Sequence, residues 1–360
     1  MPPQYSPGLT AVVMVRDDAE RLDRCLTSLA PVVNQIIVLD TGSKDDSVKV
    51  AQQHAYRVLE TPWPEAFDEA LNILLDAVET EWTIRLDSDE WLEEDQLHKF
   101  QTLMSRQDAF LARLIMRNFN REGGFADMHI ERIWRTHPEM RYRGVIHEQF
   151  WPDIRAAASE GRHMVDTDIL VLHDGYAEGN REEKLRRNLR LVQKELELRP
   201  GNFYYEVVLA DTLGELFEPG AEEVIDGLIQ RCLRTMQPPQ DLLIAIVFGK
   251  VMVTMPDEAL RQPRTAKMIA YVQQYFTDLP PLMYAVAHLE ARRGNPRKAL
   301  DAALQVERLR NSGQFNHSIS VRPEVFWANL ELIAEVASSA GQPELVSQVE
   351  AILASASEPE

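Results

Sequence analysis

Cysteine is nearly absent from this chain: there are two in 360 residues, Cys25 and Cys232. Both fall in helix-like segments of different domains, which leaves no disulfide scaffold or cysteine zinc site and suits buried free thiols in a reducing cytoplasm. Long apolar runs are missing too. No stretch approaches the roughly 20 apolar residues that a bilayer span requires. The opening Met1-Pro-Pro-Gln-Tyr-Ser-Pro-Gly8 has neither a basic start nor an apolar signal core. Basic residues are the minority, with 38 Lys and Arg against 57 Asp and Glu and a net charge of −19. That balance argues against nucleic acid or an anionic membrane as a partner of the whole surface, while leaving room for a local basic pocket. A glycine-rich phosphate loop is also lacking after the first apolar run, where Val15-Arg16-Asp17-Asp18 carries no glycine. This discounts nucleotidyl or phosphosugar transfer. A cytoplasmic protein of two domains is expected from these absences and the length.

What is present begins with alternation. Thr10–Val15, Gln35–Leu39, Tyr56–Glu60 and Trp82–Leu86 read as strands, the first a continuous apolar run of the kind buried on both faces of a parallel sheet. Between them, Leu22, Cys25, Leu26 and Leu29 repeat at helical spacing, and further helices are predicted from Asp45 onward and over Phe67–Val78. Such alternation predicts an α/β domain with a mostly parallel sheet. Phe110–Met116 and Asp168–Leu172 read as later strands, with a turn at Gly123-Gly124. Ile130–Phe150 is crowded with Arg, His, Trp and Glu, so it is expected to line a cleft. After Gly179 only helices are predicted, beginning with a charged amphipathic one over Arg181–Leu198. Breaks at Pro200-Gly201, Pro238-Pro239, Pro280-Pro281, Gly294-Asn295-Pro296 and Gly341-Gln342-Pro343 separate the rest. Helix pairs of roughly 34 residues form the tetratricopeptide pattern. Met283–Leu304 fits it best, with Ala287, Ala291, Ala299, Ala302 and Ala303 small enough for close helix approach. An irregular all-helical domain is the alternative. The expected domains are residues 1–179 and 180–360.

The chemistry concentrates at Asp87-Ser88-Asp89-Glu90-Trp91, directly after the fourth strand. The carboxyl ends of strands in open α/β sheets are where ligands bind. Two carboxylates separated by one residue make a partial oxygen cage for Mg²⁺ or Mn²⁺, which take their remaining ligands from water and phosphates. A solvated acidic turn capping the next helix is the other reading.

Four segments together resemble the family 2 glycosyltransferases of GT-A fold, which transfer sugars from nucleotide-sugar donors. They are Val12-Val-Met-Val-Arg-Asp-Asp-Ala-Glu-Arg-Leu22, Ile36-Ile-Val-Leu-Asp-Thr-Gly-Ser-Lys-Asp-Asp-Ser47, Phe67-Asp-Glu-Ala-Leu-Asn72 and Trp82-Thr-Ile-Arg-Leu-Asp-Ser-Asp-Glu-Trp91. The resemblance implies a GT-A domain followed by a tetratricopeptide-like domain. It also implies a donor site of Asp40, Gly42, Ser43, Asn72, Asp87 and Ser88. Asp40 would accept the imide N–H of uracil or thymine, with an Asx-turn as its alternative role, while Gly42 and Ser43 let the backbone turn close to base and ribose. Asp89, with Asp87 and a late His173, would hold the Mn²⁺ or Mg²⁺ that neutralises the departing diphosphate. Many relatives carry Arg where this chain has Leu71, which leaves Arg85 or Arg143 as candidate replacements.

Arg132–Gln149 resembles the Arg-Gly-x-x-His-Glu region of relatives with helical-repeat tails, and Asp168–Tyr176 their strand-His-x-Gly-Tyr element. Inverting transfer needs a proton acceptor. Glu148 is the first candidate, with Asp127 and Glu131 as alternatives and an ion pair to Arg143 or Arg141 as the structural reading. His147 and Glu148 would face opposite sides of a strand, so both enter a cleft only from a loop. The function implied is metal-dependent inverting transfer from a UDP- (or TDP-) sugar to a peptide, protein or small-molecule acceptor. The alternative is a non-catalytic helical-repeat adaptor with a degenerate nucleotide-sugar-binding domain. A repeat tail can present a concave face to a peptide or form a homodimer interface.

Overall fold

The structure, a computed structural model, describes residues 5–119, 124–151, 161–174, 181–237, 244–312 and 323–355. It divides into two compact units, Met1–Leu198 and Arg199–Glu360.

The first unit is built on ten strands: β1 (Ser6–Val15), β2 (Gln35–Asp40), β3 (Arg57–Glu60), β4 (Thr80–Asp87), β5 (Glu90–Leu92), β6 (Ala109–Phe119), β7 (Phe125–Arg135), β8 (Arg141–Arg143), β9 (Gln149–Trp151) and β10 (His163–His173). Its helices are α1 (Ala19–Leu29), α2 (Ser47–His54), α3 (Phe67–Asp76), α4 (Leu97–Ser105) and α5 (Arg181–Leu198). Eight strands form one sheet in the order β3-β2-β1-β4-β7-β6-β10-β5, and β8 pairs with β9. The pairs β3/β2, β2/β1, β1/β4 and β6/β10 are parallel, whereas β7 and β5 run antiparallel to their neighbours. This is the mostly parallel α/β architecture expected of a GT-A domain.

Side chains of β1 alternate between two cores, as the two-residue period of a strand requires. Leu9, Ala11, Val13 and Val15 pack with Leu22, Cys25, Leu26 and Leu29 of α1. Val12 faces the opposite core, with Ala70, Leu71, Leu74 and Leu75 of α3. A strand covered on both faces favours apolar side chains, which explains the run from Ala11 to Val15, and buried Thr10 is satisfied by the Thr80 hydroxyl at 2.6 Å. Cys25 and Cys232 are both free and buried.

One expectation is corrected. Ile130–Phe150 is not wholly cleft: β7 runs through the middle of the sheet, and Ile133, Trp134 and Arg135 are buried. Arg135 is accommodated because its guanidinium donates to the carbonyls of Ala109 and Arg106 and lies over Trp82 at 4.5 Å. The two compact units divide between Leu198 and Arg199, and Gly179 itself lies outside the described residues. Helix α5 groups with the sheet because buried Glu195 accepts the Val145 N–H at 2.9 Å and Lys194 donates to the Glu65 carbonyl. Gly123, Gly175 and Tyr176 also lie outside the described residues.

The second unit carries helices α6 to α13, at Phe203–Leu216, Ala221–Thr235, Ile244–Thr254, Pro263–Tyr275, Pro280–Arg292, Pro296–Ser312, Pro323–Ser339 and Pro343–Ser355. Ala287 and Ala291 of α10 and Ala299, Ala302 and Ala303 of α11 are buried in one core. The turn between those helices needs Gly294 at φ +78°, a left-handed value that costs glycine little. No described helix is long and apolar enough to cross a membrane.

Candidate active site

The sheet register aligns three strand ends. Val15 pairs with Asp40 and Met14 with Asp87, so β1, β2 and β4 stop at one level and release their loops together. A cavity of about 1140 Å³ opens there, lined among others by Arg16, Thr41, Arg85, Asp87, Asp89 and His173.

Asp40 ends β2 with only 2% of its surface exposed. Its Oδ1 accepts the N–H groups of Gly42 and Ser43 at 2.8 and 2.9 Å, an Asx-turn. Gly42 sits at φ +100°, which a side chain would strain. The other oxygen, Oδ2, is buried without a partner. A buried carboxylate oxygen with no donor costs free energy unless a ligand supplies one. Ser43 Oγ accepts the Asp17 N–H at 2.9 Å and so ties this turn to the loop after β1.

The acidic turn connects β4 to β5, and its carboxylates divide. Asp87 faces two arginines. Arg85 reaches it at 3.0 Å and Arg132 at 3.3 Å. Burial would raise its carboxyl, but those two guanidiniums outweigh burial and hold it well below the usual carboxylate range. Arg85 also pairs with Glu148 at 2.7 Å, and Arg132 with Glu90 at 3.0 Å. The result is a ladder, Glu148–Arg85–Asp87–Arg132–Glu90. Glu90 is buried and accepts the Asp87 N–H at 2.9 Å, so it shapes the turn. Burial lifts its carboxyl to about 7 against the pull of Arg132, with Asp87 adding to the rise. Ser88 Oγ donates to Asp18 at 2.6 Å, locking the turn to the loop that precedes α1.

Asp89 points the other way, towards His173 Nε2 at 3.6 Å. The two meet because β5 and β6 flank β10, which places Glu90 and Asn118 on either side of His173. Asn118 Oδ1 lies 2.6 Å from His173 Nδ1. If Nδ1 donates that bond, the Nε2 lone pair faces Asp89, the arrangement common in metal-binding histidines. Burial alone would lower the imidazole, but Asp89, with Glu90 and Asp87 behind it, raises it above its ordinary value. Among the described residues no group of three or more His, Cys, Asp or Glu side chains is placed to hold a metal. Of the three residues expected at the ion, Asp89 and His173 face each other, and Asp87 is paired with Arg85 and Arg132.

His147 and Glu148 both line the cavity. The segment is a loop, and His147 takes a left-handed backbone at φ +48°, which turns successive side chains to one side. The loop is anchored by Gly144 N–H on Asp68 and by the Val145 carbonyl on Phe67 N–H. Glu131 lines the cavity; Asp127 does not, being held bidentately by Arg117 at 2.8 Å. Arg143 is exposed and outside the cavity lining, whereas Leu71 is buried in the core on α3.

Asn72 also departs from expectation. Its amide donates to the Tyr142 carbonyl and accepts the Tyr142 N–H, both at 3.0 Å, so it joins α3 to β8 and does not line the cavity. Asn72→Ala is therefore expected to lose about 1–3 kcal/mol of stability, by leaving two main-chain groups short of partners. Urea melts should read that loss while nucleotide affinity, measured by calorimetry, stays at the wild-type value.

The sequence reading missed Arg132 and the contribution of α5, whose Lys184, Arg187 and Asn188 line the cavity. The signal available was their spacing, which puts all three on one helix face.

Residues 10–159 match the family described as Glycosyl transferase family 2. A TPR repeat-containing protein of Synechococcus elongatus is 25% identical over 299 residues, covering 81% of this chain and 65% of that protein. The SPbeta prophage-derived glycosyltransferase SunS of Bacillus subtilis is 24% identical over 206 residues, 55% of this chain and 47% of its own length. The chain thus spans between about half and two thirds of these relatives. Among solved structures, the mannosyltransferase PcManGT of Pyrobaculum calidifontis, in complex with GDP-Man and Mn²⁺, is 14% identical with a TM-score of 0.39, covering 78% of this chain and 90% of that one.

Proposed function

We propose, from the premise that residues 10–159 form a family 2 glycosyltransferase domain, that this chain moves a sugar from a uridine (or thymidine) diphosphate sugar to an acceptor with inversion. The observation that carries the donor reading is the orphaned Oδ2 of Asp40. A uracil or thymine N3–H supplies the missing donor; cytosine has no proton at that nitrogen. Asp89 and His173 Nε2 are the pair that would hold Mn²⁺ or Mg²⁺, whose contribution is to neutralise the leaving diphosphate. Asp87, held by Arg85 and Arg132, lies beside the ribose and phosphates rather than on the ion. Ser88 fixes the turn through Asp18.

Glu148 takes the proton of the acceptor hydroxyl as its oxygen bonds to the anomeric carbon. The bond from that carbon to the diphosphate oxygen breaks, and the electron pair leaves with the nucleotide. Arg85 orients Glu148 at 2.7 Å. The acceptor is a peptide or protein, for which the helical unit supplies an extended binding surface.

Calorimetric titration of UDP and CDP tests the donor assignment. Wild type should bind UDP more tightly than CDP. Asp40→Ala should weaken UDP by roughly 1–3 kcal/mol, the range for a hydrogen bond to a charged group, and erase the preference. Equal UDP affinity in wild type and variant would reduce Asp40 to a turn residue.

A further inference from the structure

Among the described residues six cations line the cavity: Arg16, Arg21, Arg85, Arg132, Lys184 and Arg187. Three of them are matched by carboxylates at close range, Arg21 by Asp18, Arg85 by Asp87 and Glu148, and Arg132 by Asp87 and Glu90. The remaining three are not. Arg16 approaches Asp17 only at 3.9 Å, with both side chains about half exposed. Lys184 and Arg187 make no ion pair among the described residues. In a chain of net charge −19, carboxylates are abundant, so an unmatched cationic wall is a departure from the composition.

Arg187 is the most constrained of the three. Its guanidinium lies over the Phe67 ring at 5.2 Å and donates to the neutral Asn188 Oδ1 at 3.1 Å. Burial lowers its hold on the proton, and repulsion from Arg190 and Arg16 adds to that against the weaker pull of Glu183 and Glu65. Two guanidiniums that repel across a partly desolvated wall are stabilised when an anion enters between them. The neighbouring lining, Trp63, Phe67 and Thr41, leads back to Asp40. The wall and Thr41, the residue directly after Asp40, therefore line one cavity in one unit. Helix α5 lies beyond the segment matched by the family.

We infer that Arg187, with Arg16 and Lys184, forms a phosphate-binding subsite that receives the diphosphate of a nucleoside diphosphate, so that α5 completes the donor site. This rests on the donor reading above.

The test compares UDP, uridine and inorganic pyrophosphate by calorimetry on the full chain in EDTA, which removes any contribution from a divalent ion. Arg187→Met keeps the alkyl stem over Phe67 and removes the charge. Lys184→Ala, at an exposed position, is the second variant should the first fail to fold. In wild type UDP should bind more tightly than uridine. Arg187→Met should weaken UDP by roughly 10- to 100-fold, the range of a lost charged hydrogen bond, and leave uridine unchanged; Lys184→Ala should move UDP in the same direction by less. An unchanged ratio of UDP to uridine affinity in both variants would overturn the subsite and leave the donor reading standing. Pyrophosphate binding that Arg187→Met abolishes, in a protein that binds no uridine nucleotide, would keep an anion site and overturn its assignment to the donor. A wild type that binds none of the three probes overturns both.

Discussion

Asp89→Ala is expected to abolish sugar transfer while leaving the melting temperature close to wild type. The side chain contacts His173 at 3.6 Å, and the bond from the Asp174 N–H goes to the Asp89 carbonyl, which alanine retains. Little of the fold therefore depends on the carboxylate. What disappears is the ionised member of the pair proposed to hold the metal. Lewis-acid assistance to a leaving group is worth several kcal/mol, so turnover should fall by roughly 10³-fold or more. His173→Ala, which leaves the carboxylate in place, should show a milder loss that added Mn²⁺ partly restores. Metal-stimulated transfer at the wild-type rate by Asp89→Ala, in an assay of UDP-sugar turnover with and without Mn²⁺, would sink the metal assignment.

Glu148→Gln should lower single-turnover transfer by roughly 10²–10⁴-fold, the usual worth of a positioned proton acceptor. The amide keeps the shape and one hydrogen-bonding oxygen for Arg85, which also retains Asp87 at 3.0 Å. UDP affinity should accordingly survive. That split between chemistry and binding distinguishes a proton acceptor from a residue that merely steadies Arg85, whose loss would disturb Asp87 and weaken the nucleotide too. A wild-type rate in Glu148→Gln would move the proton acceptor to His147 or Glu131, which share the cavity.

Two of the strand ends were legible because a carboxylate follows the strand-like run directly, Asp40 after Ile36 to Leu39 and Asp87 after Trp82 to Leu86, where the sheet must open to solvent. Partners distant in sequence were not legible. Asp87 looks like a metal ligand until Arg132 is brought beside it by the β4–β7 pairing. Asn72 looks available until Tyr142 takes both faces of its amide. Glu195 sits in a helix that reads as charged and amphipathic, yet it is fully buried on the Val145 N–H. Periodicity reports which face of an element is apolar, but a single polar residue buried on a main-chain group leaves no periodic trace. His147 escaped for a related reason: its left-handed backbone follows from anchors on Asp68 and Phe67 rather than from its own type.

Because Asp89 and His173 are brought together by the strand ladder β5–β10–β6, their separation is a matter of residue counting. One residue inserted between Asp89 and Leu92 would turn the following side chains to the opposite face of the sheet. It would pull Glu90 from its seat under Asp87 and carry Asp89 out of reach of the imidazole. Homologous chains should therefore tolerate length changes freely elsewhere on the first unit's surface but almost none from Asp87 to Leu92. A library of single-codon insertions selected only for soluble expression, then for turnover, should recover that interval as a gap in the second selection and not in the first.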